Sequence, residues 1–452
     1  MLCGCPLSDP YYLDPGKGLP GEGGRNSSGG SATSGGMSGS GAASTSGGFT
    51  ATSSGGSSSV CAEDCKGKTC CDGTCVDVKI DAQHCGACGE TCAAGRTCVA
   101  GVCAGGWVGM AATPGGFEPR SRFAATAFDG RWFVFGGLND DGDALNSGAI
   151  YDPKANKWTL VAIDAQTPSA RQLAMAVWTG QHILLFGGMS ASGNNYYNNA
   201  ALYDPELNRW TEASSASVPR AAGFGVSAGQ RVFFAGGATT GSASATPAEV
   251  YDIESDSWRT ASAENAPGAM MGAAWAVGAG QLRTYGGLQE GSSRIDRGYA
   301  YEVARDTWSQ LPRGLSVRSA AFGAFDGSTY FVWGGHTDEN LLGDGAYFSS
   351  SWTNVDIAMQ PTLRWAVPRQ SGWSFALGTG DFVVIGGEGA NGDLVTDGGR
   401  YVIGKGWTKV PGWPSKEEHS FGNASLVGKE VLIWGGLHRD SPTSTGERWS
   451  PP

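Results

Sequence analysis

From Trp107 onward, short apolar runs recur along the chain and each ends on two glycines: RWFVFGG, HILLFGG, RVFFAGG, QLRTYGG, TYFVWGG, DFVVIGG and EVLIWGG. The doublets fall at 136–137, 187–188, 236–237, 286–287, 334–335, 386–387 and 435–436, spaced 48 to 52 residues apart. The runs are continuous rather than alternating, as strands covered on both faces should be. Before each run, behind a turn such as FDG, TGQ or AGQ, lies a strand of small residues, for instance FAATAF or AAGFGV. After each doublet come a polar loop and then an aromatic residue: Tyr151, Tyr203, Tyr251, Tyr301, Tyr347, Tyr401 and Trp449. A tryptophan follows that aromatic in every unit but the last. Four strands per unit at a period near 50 predict an all-β, seven-bladed propeller.

The tryptophans in fourth-strand position are Trp158, Trp210, Trp258, Trp308, Trp352 and Trp407, six for seven units. Trp107 stands 51 residues before Trp158, in register with the series. The N-terminal segment is therefore expected to supply the outer strand of the last blade. Such closure leaves no unpaired strand edge in the ring. Residues 107–452 resemble the kelch repeat family, with a glycine doublet closing the second strand, a tyrosine in the third and a tryptophan opening the fourth. In that family the first strands crowd the axis, which suits Ala, Gly and Ser. The glycines let the chain turn and let large aromatics approach the backbone.

Composition divides the chain further. All twelve cysteines precede residue 104, and ten lie between Cys61 and Cys103: Cys61, Cys65, Cys70, Cys71, Cys75, Cys85, Cys88, Cys92, Cys98 and Cys103. So dense a cluster predicts a disulfide-rich module over 60–103 and an oxidising compartment. The stretch Asp81–Gly89 with Cys92 resembles the stigma-specific-type cysteine-rich repeats. Cys85-x-x-Cys88 beside His84 also has zinc-ligand spacing, but ten thiols with one histidine fit five disulfides better. Residues 16–59 are Gly, Ser, Thr and Ala with almost nothing to bury, and read as a disordered tether with a reach of roughly 35 Å. In residues 1–15, Leu2-Cys3-Gly4-Cys5 resembles a bacterial lipobox without the preceding signal, which implies lipidation at Cys5 and a start lying further upstream. The domain reading is 1–15, 16–59, 60–103 and a propeller over 104–452. The implied location is the outer membrane or surface of a Gram-negative bacterium as a lipoprotein, or otherwise secretion.

A formal charge of −11 argues against nucleic acid as a partner. Arginine recurs at the start of the innermost strand: Arg120, Arg171, Arg220, Arg318 and Arg369, with Met270 and His419 in the other two units. A ring of guanidinium groups at one channel mouth would hold acidic ligands bidentately. The alternative for the same residues is structural, tying blades through backbone carbonyls or loop aspartates. Asn139, Asp141 and Asp143 alternate as calcium-loop oxygens do, but the glycine and glutamate that loop requires are misplaced, and a polar turn fits better. His336, His419 and His438 could face the same mouth, as could carboxylates including Glu290, Asp338, Glu388, Asp393 and Asp440. Kelch-fold copper radical oxidases need a cysteine within the propeller, and this propeller has none. The reading calls for no cofactor and no metal. It favours a monomeric, non-catalytic binder of a glycan, peptide or protein through the long-loop face. A carbohydrate-active enzyme using loop carboxylates and the arginine ring is the alternative.

Overall fold

A computed structural model describes residues 61–451, apart from 62–64, 66, 72, 93–95, 100, 241, 243–245, 269, 290–292, 356–368, 390–392, 416 and 418. Cys3, Cys5 and the Gly/Ser tether lie outside the described residues. The backbone divides into two units, one running from Ala104 to Pro452 and one taking Thr97–Cys103 with the chain before it up to Cys92.

The larger unit is a seven-bladed β-propeller. Blade 1 comprises Ala124–Phe128, Arg131–Phe135, Gly148–Asp152 and Lys157–Leu160, hydrogen-bonded in that order. Blades 2 to 6 repeat this antiparallel meander around the doublets at 187, 236, 286, 334 and 386. Blade 7 takes three strands from the C-terminus, Asn423–Val427, Glu430–Trp434 and Gly446–Ser450, and its fourth, Gly106–Gly109, from the other end of the propeller. Trp107 lies opposite Trp449 there, as Trp158 lies opposite Tyr151 in blade 1. The ring closes as the tryptophan register predicts. Only blade 5 departs from the expected pairing. Its third-to-fourth turn is differently set, so that Phe348 faces Trp352 while Tyr347 faces Thr353.

The core lies between blades. Second-strand residues such as Trp132, Phe133, Val134 and Phe135 are wholly covered, because each sheet packs a neighbour on both sides. Each fourth-strand tryptophan packs on the preceding blade: Trp158 reaches Trp434 at 5.3 Å between centroids, and Trp407 reaches Trp333 at 5.6 Å. Trp107 follows the rule. It sits edge-on to Trp413 at 5.8 Å and donates its indole N–H to the Pro411 carbonyl at 2.6 Å.

A second device ties the outer rims of blades 1 to 4. The residue before each fourth strand, Asn156, Asn208, Asp256 or Asp306, has a left-handed φ of 45° to 53°. Its side-chain oxygen accepts the third-strand tyrosine hydroxyl, as in Tyr203 to Asn208 at 2.7 Å and Tyr251 to Asp256 at 2.8 Å. The same oxygen accepts a backbone N–H from the chain leaving the preceding blade, namely Ala111, Ala162, Ser214 or Ser262. Asn and Asp suit the site because they tolerate this φ and carry the acceptor one carbon from the backbone.

The smaller unit has two hairpins, Thr69–Cys71 with Thr74–Val76 and Thr97–Val99 with Val102–Ala104. Disulfides join Cys61–Cys70, Cys65–Cys75, Cys71–Cys88 and Cys85–Cys98, and Cys92 is disulfide-bonded as well. Cys85 and Cys88 thus serve two different bridges rather than one metal. The buried apolar cluster is itself cysteine, namely Cys85, Cys92 and Cys98, so covalent bonds do the work of a core.

Two stability predictions come from these contacts. Trp107→Ala should cost about 3–5 kcal/mol as a buried aromatic removed from a packed site, read as a lower urea midpoint for the full chain. A midpoint equal to wild type would mean the closing strand adds little. Burial pushes the Asp256 and Asp306 carboxyls up, but hydrogen bonds from Tyr251, Tyr301 and backbone N–H groups outweigh it and leave both below the ordinary range. Their stabilisation is therefore complete above the unfolded carboxyl pKa near ~4 and is lost as pH falls through the lower folded value. The double variant Asp256→Asn, Asp306→Asn, which copies blades 1 and 2, should flatten the acid-side fall of Tm. An unaltered acid limb by calorimetry would count against these carboxylates as its source.

Candidate functional site

The arginines at the head of the inner strands are placed inside the blades. Arg120, Arg171, Arg220, Arg318 and Arg369 are 0–1% exposed. In each, Nη1 donates to the carbonyl of the first glycine of that blade's own doublet: Gly136 at 3.0 Å, Gly187 at 2.9 Å, Gly236 at 2.7 Å, Gly334 at 3.1 Å and Gly386 at 3.3 Å. Further donors reach the start of the third strand, at Ser147, Asn199, Pro247, Asp344 and Asp397. His419 imitates the arrangement. Its Nδ1–H donates to the Gly435 carbonyl at 2.7 Å, and Nε2 lies 3.1 Å from the buried Glu447 carboxylate. In blade 4, where Met270 cannot donate, the Tyr285 hydroxyl at the end of the second strand donates to Leu315 O at 2.6 Å.

The backbone carbonyls of the same arginines face the other way. Arg171, Arg220, Arg318, Arg369 and Arg120 each accept the N–H of the second doublet glycine of the preceding blade, at 2.8–2.9 Å. A single residue thus holds its own blade with its side chain and the preceding one with its main chain. Only glycine fits opposite. Gly136 and Gly137 have φ of 71° and 100°, and a Cβ on them would come within 2.5 Å of Arg171 O and 2.4 Å of Ser121 O. Burial of the cation pulls Arg120 down to about 9 and Arg171 and Arg220 to about 10, which leaves all three charged at neutral pH. This is the blade-tie alternative in atomic form, and it turns the guanidinium groups away from an opening. The sequence could not separate the two readings, because both place arginine at the same end of the same strand.

Two residues beyond each tie, a second ring surrounds the channel. Arg122, Leu173, Ala222, Gly272, Ala320, Ser371 and Phe421 all have left-handed φ between 52° and 63°. Their peptides bond in series from blade to blade: Leu173 N–H to Arg122 O, Ala222 to Leu173, Ala320 to Gly272, Ser371 to Ala320, and Arg122 to Phe421 across the closure, at 2.7–3.1 Å. Nothing in the sequence announces this ring, because six of the seven residues are not glycine. The ring and the small residues below it line a channel of about 130 Å³.

Outside the ring, the residue after each doublet pairs with the inner strand and with the loop it begins. Leu138 bridges Ser121 and Ala144, Met189 bridges Gln172 and Tyr196, His336 bridges Ser319 and Leu341, and Glu388 bridges Gln370 and Leu394. The loops therefore rise from rigid bases. Their tips differ. Blade 1 offers Asp140, Asp141 and Asp143 on a turn whose backbone N–H groups bond Asn139 Oδ1 at 2.9–3.1 Å, a polar turn rather than a cation loop. Blade 2 offers Asn194, Asn195 and Tyr196. Between blades 4 and 5, Arg294 donates to Ser319 Oγ at 3.0 Å, lies 3.3 Å from His336 Nδ1 and pairs with Asp338. Ser319 Oγ is 2.9 Å from His336 Nε2, but the serine is 0% exposed, so this contact locks loops together rather than presenting a nucleophile. His182 pairs with Asp204 at 3.8 Å, at the short turns.

Comparison with known proteins agrees with this architecture. The KLHDC2/KLHL20/DRC7 Kelch-repeats domain matches residues 97–237, and the Stigma-specific STIG1-like protein family matches residues 49–105. The chain thus carries kelch-type repeats behind a stigma-specific-like cysteine-rich segment. Alpha-scruin of Limulus polyphemus is 27% identical over 124 residues, covering 26% of this chain and 13% of that protein. Beta-scruin of the same organism is 24% identical over 252 residues, covering 53% and 21%. Kelch-like protein 25 of Xenopus tropicalis is 28% identical over 107 residues, covering 23% and 17%. The chain spans about a fifth or less of these curated relatives. The structure of YjhT aligns with a TM-score of 0.47 at 17% identity, covering 67% of this chain and 99% of that one.

If the arginines are ties, Arg171→Met should destabilise by about 1–3 kcal/mol for each acceptor left without a donor. Arg171→Lys should recover only part of that, because an ammonium cannot reproduce the planar fork. Urea unfolding of the full chain measures both. Variants as stable as wild type would return the guanidinium group to a ligand-binding role.

Proposed function

We propose that this protein is a non-catalytic binding module whose loop rim recognises a partner protein, with a peptide or a surface glycan as narrower forms of the same reading. The observation that carries it is the contrast between loop bases and loop tips. The bases are built alike by the paired residues after each doublet, and the tips carry different chemistry in each blade. Rigid stems with divergent tips around one mouth are how a repeat fold acquires a selective surface. Kelch repeats matched in scruins and in a Kelch-like protein support the protein-binding form of the reading. The disulfide-stapled unit suits work outside a reducing cytosol, on a cell surface through a lipid at Cys5 or after secretion.

Arrayed peptides and glycans probed with the full chain, at low and high salt, test the rim. Exchange of tips 139–143 and 190–195 for Gly/Ser tips of equal length should abolish the hits. Exchange of the short turns 153–155 and 205–207, which spares the Asn156 and Asn208 clasps, should leave them. Hits that survive the tip exchange would overturn the reading.

A further inference from the structure

The channel holds chemistry that the loop rim does not explain. Five residues beyond the tie position, on the inner strands, stand Ala125, Ala176, Gly225, Gly323, Ser374 and Ala424 in six blades, and Trp275 in the seventh. The small residues follow from crowding at the axis. The indole does not. It lies against Phe224 of the neighbouring blade with centroids 3.8 Å apart, is only partly covered, and lines the channel. Close packing around it is arranged, since a Cβ on Gly323 would come 2.8 Å from the Trp275 carbonyl.

The polar groups are equally uneven. Among the residues lining the channel, Arg122 carries the one formal charge. Its guanidinium is held over the Phe421 ring at 4.9 Å and donates to Gln172 Oε1 at 3.3 Å. Ser371, on the other side of Phe421 in the same ring, has a hydroxyl shielded from solvent with no hydrogen-bond partner among the described residues. That hydroxyl has no surface open to the channel, so this arc of the mouth offers a cation alone. The opposite arc is Leu173, Ala222 and Gly272, and Trp275 and Phe224 line the channel as well.

We propose that the channel binds a small carboxylic acid with a compact apolar body. The carboxylate meets Arg122, and the body lies along Trp275. The volume of about 130 Å³ is on the order of the ~150 Å³ cavity that admits one benzene-sized molecule. That size suits a single ring or a short chain. A guanidinium held by an aromatic face and an amide is oriented before the acid arrives, which suits it to carboxylate recognition. The site is separate from the loop tips and does not depend on their having a protein partner.

Isothermal titration of the full chain with benzoate and hexanoate, and with benzyl alcohol and hexanol as neutral counterparts, tests the assignment. The acids should bind with millimolar or tighter dissociation constants, and the alcohols roughly tenfold or more weakly. Arg122→Gln should remove that preference while leaving the weak binding of the alcohols, and Ser371→Ala, at a hydroxyl closed to the channel, should leave both unchanged. Trp275→Leu, which keeps an apolar side chain in place, should weaken acids and alcohols together. Unfolding midpoints report whether each variant keeps its fold, and Arg122→Lys, which keeps the charge but not the planar fork, should retain part of the preference and carries the test if Arg122→Gln does not fold. Acids that bind no better than alcohols, or whose binding is indifferent to Arg122, would overturn the proposal, as would no binding by any of the four probes.

Discussion

The propeller depends on a buried arginine that grips a glycine carbonyl. Each tie residue donates from its guanidinium to the doublet of its own blade and accepts, through its backbone oxygen, from the doublet of the blade before. A guanidinium suits the role because its planar donors reach the second and third strands together, and because charge-assisted hydrogen bonds offset part of the cost of burying a cation. The glycines are the complement of this interaction. A side chain at Gly136, Gly187, Gly286 or Gly334 would strike the carbonyl of the next tie, and one at Gly137, Gly188, Gly237 or Gly335 the carbonyl of the residue after its own blade's tie position.

This stitch explains why the blades can be dissimilar elsewhere. Blade 4 has a methionine where five others have arginine, and Tyr285 takes over part of the hydrogen bonding. Blade 7 uses His419 with Glu447, and blade 5 shifts its outer pairing by one residue. Each exception keeps the link between the second strand, the third strand and the next blade. The peptide ring at the channel mouth adds five further links between neighbouring blades, at the expense of left-handed backbone in six residues that are not glycine. Such a conformation costs of order 1 kcal/mol per residue, which hydrogen bonding from blade to blade offsets.

With the fold held by groups near the axis and by the outer tyrosine clasps, the loop tips carry a lesser share of the structure. The charged and amide-rich tips of blades 1 and 2 contribute little to the core and can vary without loosening the ring. The shaft is different. There a seven-fold scaffold of small residues is interrupted at one point by an indole, and its mouth carries donors on one arc alone. Departure from the repeat, more than the repeat itself, separates candidate function from architecture.

Much of the architecture was legible in the sequence. The doublet period and the apolar runs determined seven four-stranded blades, because strands covered on both faces admit no polar positions. The placement of Trp107 one period before Trp158 determined how the ring closes, because an outer strand without its tryptophan leaves a gap in the preceding blade. Cysteine density likewise marked the stapled unit. The direction in which the arginines point was decided only by the tertiary structure, since a side chain at a strand end can turn to solvent or to its neighbours with no change in the pattern. The left-handed ring at Arg122, Leu173, Ala222, Ala320, Ser371 and Phe421 was also invisible. It arises from hydrogen bonds between residues about 50 positions apart, and local sequence carries no mark of a backbone conformation that only a closed circle of blades requires.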